Sequence, residues 1–252
     1  MLKLKKKSID KKINILLTRP REQSLRLSKK LDLELLNPFI SPLIQIKKLD
    51  YEFNVNTKCD FLIFTSKNGI LNFQRIDNYK KIFVIGEGTY SCAKEKKMKN
   101  VVNVDGDSER LKNKIKPFLK KNSKIIHPTS FQNNDELKLF FEKNHCDYSQ
   151  IHCYHSQKFN SSPSIFKKFF ISKKEGIITI FSKRTAASFI NEIFKMNFLA
   201  EAKNKKILVL SKSIKKELNL SGFKKVFISE KPNEQSMLKL IQKITIYKNK
   251  ND

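Results

Sequence analysis

The sequence predicts an α/β protein of two doubly wound parallel-sheet domains joined by a two-stranded connector. Three observations carry this. Short apolar runs alternate with helical patterns along the whole chain, as parallel sheets require. Two series repeat one plan: Phe64-Thr65-Ser66-Lys67, Ile82 to Gly86 and Val101 to Asp105 form the first. Phe181-Ser182-Lys183-Arg184, Ile207 to Ser211 and Val226 to Glu230 form the second. In each, an apolar strand runs into a Gly, Ser or Thr turn and then a helix. Finally, extended stretches near Phe39 to Ile44 and Gln150 to Tyr154 bracket the middle of the chain and can pair as a connector. Residues 1–37 and 157–252 then make a discontinuous domain, 43–149 an inserted one, and 38–42 with 150–156 the connector.

Ile13 to Leu17 reads as a short buried strand with Thr18-Arg19-Pro20 as its turn. Leu25, Leu27, Leu31, Leu35 and Leu36 give an approximate helical stripe, stopped by Asn37 and Pro38. Phe39 to Ile46 reads as extended, with Pro38 and Pro42 marking an edge or linker. Phe61 to Phe64 is a continuous apolar run of the kind parallel sheets bury. A short helix follows from Ser66 or Asn68, then strand Ile82 to Ile85, a helix over about Thr89 to Lys97, and strand Val101 to Val104. Ser108 is the expected cap of the next helix, which Pro117 kinks or splits. Lys124 to His127 reads as a strand ended by Pro128, and 135–143 as a helix with Leu137, Phe140 and Phe141 on one face. Tyr148 to Tyr154 is extended, and Gln157 to Ser164 a polar linker. A helix with Ile165, Phe166, Phe169 and Phe170 precedes strand Ile177 to Phe181. The rest reads as a helix through Phe194, strand Ile207 to Leu210, a helix ended by Gly222, strand Val226 to Ile228, and a helix from about Glu234 to Tyr247.

The chain has 252 residues, enough for two domains of roughly 120 each. Its formal net charge is +28, which favours anionic partners: nucleic acid, acidic lipid, a polycarboxylate or a phosphate. Nearly all the excess is Lys, and Asn and Ile are abundant, a bias an AT-rich genome also produces. The basic residues are spread along the chain and no nucleic-acid-binding motif is present, so no nucleic acid is expected as partner. The competing reading is a non-catalytic polyanion- or nucleic-acid-binding α/β protein. No apolar segment approaches the roughly 18 residues of a membrane span, so no membrane partner is expected. The basic start leads only into Ile13 to Leu17, too short for a signal-peptide core. A cytoplasmic protein with four reduced Cys is the expectation.

Strand-end turns expose backbone N–H groups at helix N-termini, which suits an anionic ligand. Thr65, Ser66, Gly86 and Thr89 sit at such turns in one series, and Ser182, Ser211 and Ser213 in the other; in each, helix capping and ligand binding use the same amides. Arg19, at the end of the first strand, is either a carboxylate clamp or a structural Arg. His145-Cys146, His152-Cys153 and His155 are zinc-type ligands but lack the Cys-x-x-Cys knuckle, and alternate strand residues face opposite ways, so no metal is expected. Gly86-Glu87-Gly88 lacks the third Gly and the acidic partner of a dinucleotide fingerprint. No P-loop or Ser-His-Asp signature is present.

In order and spacing the chain resembles the uroporphyrinogen-III synthase family. The pieces are Leu16-Leu17-Thr18-Arg19-Pro20, Pro42-Leu43-Ile44-Gln45-Ile46, Asp60 to Ser66 with Asn68 and Gly69, and Val84-Ile85-Gly86-Glu87-Gly88-Thr89. Later come the Tyr154 strand, Phe181-Ser182, Leu210 to Ser213, and Pro232 with Ser236 and Leu238. The resemblance implies an enzyme that closes linear hydroxymethylbilane to uroporphyrinogen III, inverting the last pyrrole ring with loss of water. It implies two α/β domains holding the tetrapyrrole between them, largely by backbone amides, with no cofactor. A monomer is expected. Tyr154 matches the family tyrosine on the strand leaving the middle domain, a suitable proton donor to departing hydroxide; packing on an edge strand is its plainer role. Where the family often carries a Gly with an Arg nearby, this chain has Ser130-Phe131-Gln132-Asn133-Asn134, and no site residue is assigned there.

Overall fold

The structure, a computed structural model, describes residues 12–74, 76–131, 135–159, 163–172 and 175–249. The chain begins with β1 (Ile13–Leu17), α1 (Arg21–Ser28) and β2 (Leu36–Ile40). Strand β3 (Ile44–Lys48) leads to β4 (Cys59–Phe64), α2 (Lys67–Asn72), β5 (Tyr79–Ile85), α3 (Glu87–Glu95) and β6 (Val101–Val104). Helix α4 (Ser108–Ile115), β7 (Lys124–Ser130), α5 (Glu136–Lys143) and the long β8 (Asp147–Lys158) follow. The last third is α6 (Pro163–Ile171), β9 (Gly176–Ile180), α7 (Lys183–Lys195), α8 (Leu199–Lys203), β10 (Lys206–Val209), α9 (Lys212–Leu220), β11 (Val226–Ile228) and α10 (Glu234–Asn249).

The chain divides into two compact units, Met1–Gln45 with Gln157–Asp252, and Ile46–Ser156. It passes between them twice, within β3 and within β8. These strands neighbour each other in the second sheet. The bonds Leu49 N–H to Cys153 O and Phe159 N–H to Leu43 O show that they run antiparallel.

The first unit holds the sheet β11-β10-β9-β1-β2, every pair parallel. Strand β1 is buried along its whole length, and its alternation divides two cores. Ile13, Ile15 and Leu17 pack with Leu27, Leu31, Met237 and Ile241 of the α1 and α10 side. Leu16 faces Phe166, Phe169, Phe189 and Ile193 of α6 and α7. Each fully buried Phe contributes about 1.5–3 kcal/mol.

The second unit holds β3-β8-β7-β4-β5-β6. On β4, Leu62 and Phe64 pack with Ile70, Ile82 and Ala93 on the α2 and α3 side. Phe61 and Ile63 pack with Leu111, Ile115, Leu137 and Phe141 on the α4 and α5 side. Both sheets are therefore covered on two faces, the arrangement that makes parallel strands read as unbroken apolar runs.

Several elements differ from the sequence reading. The first helix ends at Ser28. Asp32 Oδ1 accepts from the Glu34 N–H, and Asp32 O from the Leu36 N–H, so the chain turns and Leu36 enters β2. Pro38 stands within β2, an edge strand where its missing N–H leaves no ladder bond unmade. The strand entering the second unit is β3, beyond the 38–42 stretch. Asp107, not Ser108, caps α4, its carboxylate accepting from the Arg110 N–H. Pro117 lies in a 3₁₀ turn at Lys116–Phe118, so α4 stops short of it.

Candidate active site

In each sheet the strand order reverses once, between β1 and β9 in the first unit and between β4 and β7 in the second. Ligands of open α/β sheets bind outside the carboxyl ends of strands at such reversals. The candidate residues lie at these ends, and each unit presents its own set.

In the first unit, Thr18 closes the reversal. Its buried Oγ1 donates to Thr179 O at 2.6 Å, and Thr179 Oγ1 donates to Leu16 O at 3.2 Å. Arg19 follows. Its guanidinium pairs with Glu234, donates from Nε to Gln23 Oε1 at 3.0 Å, and stacks 4.3 Å over the Phe181 ring. Burial lowers the Arg19 pKa, and Glu234 opposes that shift. Burial works against the Glu234 carboxylate too, yet Lys30 and Arg19 together hold it below its ordinary value. Arg19 thus ties the β1 turn to the start of α10, an arrangement that serves the frame of the unit.

Ser182 caps α7. Its Oγ accepts from the Thr185 N–H at 3.1 Å and shares a 2.8 Å bond with Thr185 Oγ1. Ser211 caps α9, with Oγ 3.4 Å from the Ile214 N and 2.9 Å from Ser213 Oγ. Ser213 is exposed in the first turn of α9. These hydroxyls satisfy helix N-termini, and the remaining first-turn amides face outward from the strand ends.

In the second unit, Ser66 caps α2, its Oγ accepting from the Asn68 N–H. Gly86 precedes α3 at φ 81° and ψ 153°, a conformation essentially reserved for glycine. Its N–H donates to Val104 O, and its carbonyl accepts from Thr89 and Tyr90. Thr89 is buried in the first turn of α3. Thr65, half-buried at the end of β4, places Oγ1 3.1 Å from His127 Nε2 across the reversal. His127 is fully buried, with Nδ1 2.7 Å from Tyr148 Oη. Burial, with a smaller contribution from His152, pushes the His127 pKa down to about 3, so the ring is neutral at physiological pH.

Tyr154 lies at the same end of the sheet, opposite Ser130 at an irregularity in the β7–β8 ladder. It is 6% exposed, and its carbonyl accepts from the Phe131 N–H. Gln132, Asn133 and Asn134 of the adjoining loop lie outside the described residues. The His152-Cys153 pair of β8 diverges. His152 meets Gln150 and the Phe131 ring, whereas Cys153 Sγ faces the carbonyls of Thr129 and Gly69. Burial raises the Cys153 thiol to about 11, which keeps it protonated. Among the described residues no three His, Cys, Asp or Glu side chains converge as a metal site. Among them, too, no helix is long and apolar enough to cross a membrane.

Thr18, His127, Tyr148 and Gln150 were not singled out from sequence. The available signal was a histidine inside the apolar run Ile125-Ile126-His127-Pro128, in the strand that borders the reversal.

Two doubly wound α/β units, each offering hydroxyls and helix-start amides at its strand ends, define a two-domain protein suited to an anionic small molecule. The family model described as "Uroporphyrinogen-III synthase HemD" matches residues 26–239, most of the length. The chain belongs to the uroporphyrinogen-III synthase family, lyase-class enzymes of haem biosynthesis. Among solved structures it is similar to the uroporphyrinogen-III synthetase of Helicobacter pylori, at 15% identity and a TM-score of 0.61 over 92% of this chain and 99% of that one. A mutant uroporphyrinogen III synthase of the extreme thermophile Thermus thermophilus matches at 14% identity and a TM-score of 0.55, over 94% and 99% of the two chains. These likenesses carry the fold. No curated protein sequence matches the chain.

Proposed function

We propose that this chain closes hydroxymethylbilane to uroporphyrinogen III, with Tyr154 as proton donor. The family match over residues 26–239 carries the reading. The substrate has eight carboxylates, so N–H and O–H donors and a positive field are useful, and the chain carries a formal charge of +28.

The reaction begins when the C–O bond of the hydroxymethyl group breaks. Tyr154 protonates the leaving oxygen, which departs as water, and a conjugated azafulvene cation remains. The last pyrrole then attacks through its substituted carbon to give a spiro intermediate, which fragments and recloses inverted. Loss of the ring proton restores aromaticity and returns the proton balance. An unguided chain closes without inversion, so orientation is the main contribution asked of the protein. Amides and hydroxyls after Thr65, Ser66, Gly86, Thr89, Ser182, Ser211 and Ser213 hold the acid side chains. Arg19 acts chiefly by fixing its turn through Glu234. The reading includes a monomer acting in the cytoplasm without a cofactor.

The test supplies hydroxymethylbilane to purified protein, oxidises the product and separates the isomers. Isomer III is expected. Isomer I alone, the spontaneous product, would overturn the proposal.

A further inference from the structure

A chain of polar side chains runs along β8 and across β7 to the end of β4 in the second unit. His152 Nε2 lies 3.3 Å from Gln150 Oε1, which only accepts. Gln150 Nε2, which only donates, reaches Tyr148 Oη at 3.4 Å. Tyr148 Oη lies 2.7 Å from His127 Nδ1, and the ring of Tyr148 is stacked on Phe141 with centroids 5.0 Å apart. His127 Nε2 lies 3.1 Å from Thr65 Oγ1. Since Tyr148 oxygen accepts from Gln150, its own proton is available to Nδ1 at the short 2.7 Å distance. Burial keeps the imidazole neutral, so it carries a single proton. When Nδ1 accepts from Tyr148, that proton sits on Nε2 and points at Thr65 Oγ1; the opposite tautomer would reverse both bonds.

We propose that His127 is a positioning residue: held as the Nε2–H tautomer by Tyr148, it occupies the Thr65 oxygen and turns the Thr65 hydroxyl proton outward, as a donor to a substrate oxygen. The bonds are arranged head to tail, and each polarises the next, so the terminal hydroxyl is a better donor than an isolated threonine. The position supports the role. Thr65 stands where β4 and β7 part; these strands pair at Phe61 with Ile125 and Leu62 with Ile126, before His127 is reached. The ligand class is an oxygen acceptor, a carboxylate or the departing hydroxyl. A purely structural His127 needs no particular tautomer and no link to substrate. The catalytic consequence rests on the synthase reading; the direction of the chain does not.

The first experiment is long-range proton–nitrogen NMR on histidine-labelled protein without substrate. The chain has four histidines, and single replacement of His145 and His155, with loss of the His127 signal in His127→Phe, assigns His127 without altering its partners. His127 is expected neutral with its proton on Nε2 from pH 5 to 8, and Tyr148→Phe is expected to release that tautomer. A proton on Nδ1, or an imidazolium in that range, overturns the proposal even if isomer III is made. The second experiment is a cycle on kcat/KM with Thr65→Val, His127→Phe and the double variant. Each single change is expected to cost roughly 3- to 10-fold, carried in kcat, and the double variant no more than the worse single. His127→Gln, which restores an N–H donor toward Thr65, is expected to recover most of the loss. Losses that multiply, or no recovery with Gln, would overturn the link through Thr65. Should His127→Phe fail to fold, the NMR tautomer and Tyr148→Phe decide. Absence of isomer III from the unaltered chain would instead refute the synthase reading and leave the tautomer result standing.

Discussion

Replacing Gly69 by alanine tests whether α2 must touch the β7 backbone. In an exposed helix interior, Gly→Ala stabilises by about 0.5–1 kcal/mol, because alanine loses less backbone freedom on folding. Gly69 is the third residue of α2, and a Cβ there would lie 2.6 Å from Pro128 O and 3.2 Å from Phe64 Cδ1. Real Cβ atoms essentially never come within 3.0 Å of such a neighbour, and Pro128 O is backbone, so the helix or β7 must shift. Overpacking of this kind costs about 1–3 kcal/mol, which set against the helix gain leaves a net loss of up to about 2.5 kcal/mol. The control is Gly88→Ala in α3, where an added Cβ meets nothing within 4 Å. The chain contains no Trp, so far-ultraviolet circular dichroism in urea is the readout. Gly69→Ala is expected to lower the midpoint of the second unit's transition, and Gly88→Ala to leave or raise it. Because Pro128 adjoins His127, Gly69→Ala is also expected to lower turnover. If both substitutions raise the midpoint alike, the contact is compliant and the argument fails.

Four further outcomes are expected. Tyr154→Phe should cut turnover by about 10²–10⁴-fold and shift product toward isomer I; full rate with pure isomer III would make Tyr154 a packing residue. His127, with a folded pKa of about 3 against an ordinary 6.5, contributes stability that is fully present above pH 6.5 and lost as pH falls toward 3. The slope is about 1.4 kcal/mol per pH unit, read as urea midpoints across that window, and His127→Phe should flatten it. Ser182→Ala should cost about 1 kcal/mol in the first unit, and Ser211→Ala less, since its bond to the Ile214 N–H is long at 3.4 Å. Isomer III formation should survive exhaustive chelation; loss restored by zinc would redirect attention to His145, His152 and His155.

What was readable in the sequence was set by interactions between near neighbours. Ile13 to Leu17, Phe61 to Phe64 and Ile207 to Val209 announce themselves because both faces of a covered parallel strand must be apolar. Ser66, Ser182 and Ser211 announce helix starts because each cap bonds within three residues. The start of strand β2 was hidden, since its Leu36 completes an apparent helical stripe and only its pairing with Ile13 reveals it. The Arg19–Glu234 pair joins positions 215 apart, and Thr65 with His127 joins positions 62 apart. No local pattern encodes such partners; the sheet order brings them together.

The same distinction explains how a fold can persist at 15% identity. Helix-start amides at parallel strand ends need only a turn and a cap, and Ser, Thr or Gly supplies either. A ligand held mainly by such amides constrains backbone paths and leaves most side chains free to change. Basic residues can then accumulate over the surface, and the loop after β7 can lose its glycine, while the donors remain. A buried polar chain behaves oppositely. Remove Tyr148 and the His127 tautomer loses its lock; remove Tyr148 or Thr65 and the fully buried His127 ring loses a partner, at a cost of about 1–3 kcal/mol for a buried group left unsatisfied. Such a chain changes as a unit or not at all. On the proposed reading, the helix-start amides give general affinity for an anion, and the Thr65–His127–Tyr148 chain adds one donor of fixed direction.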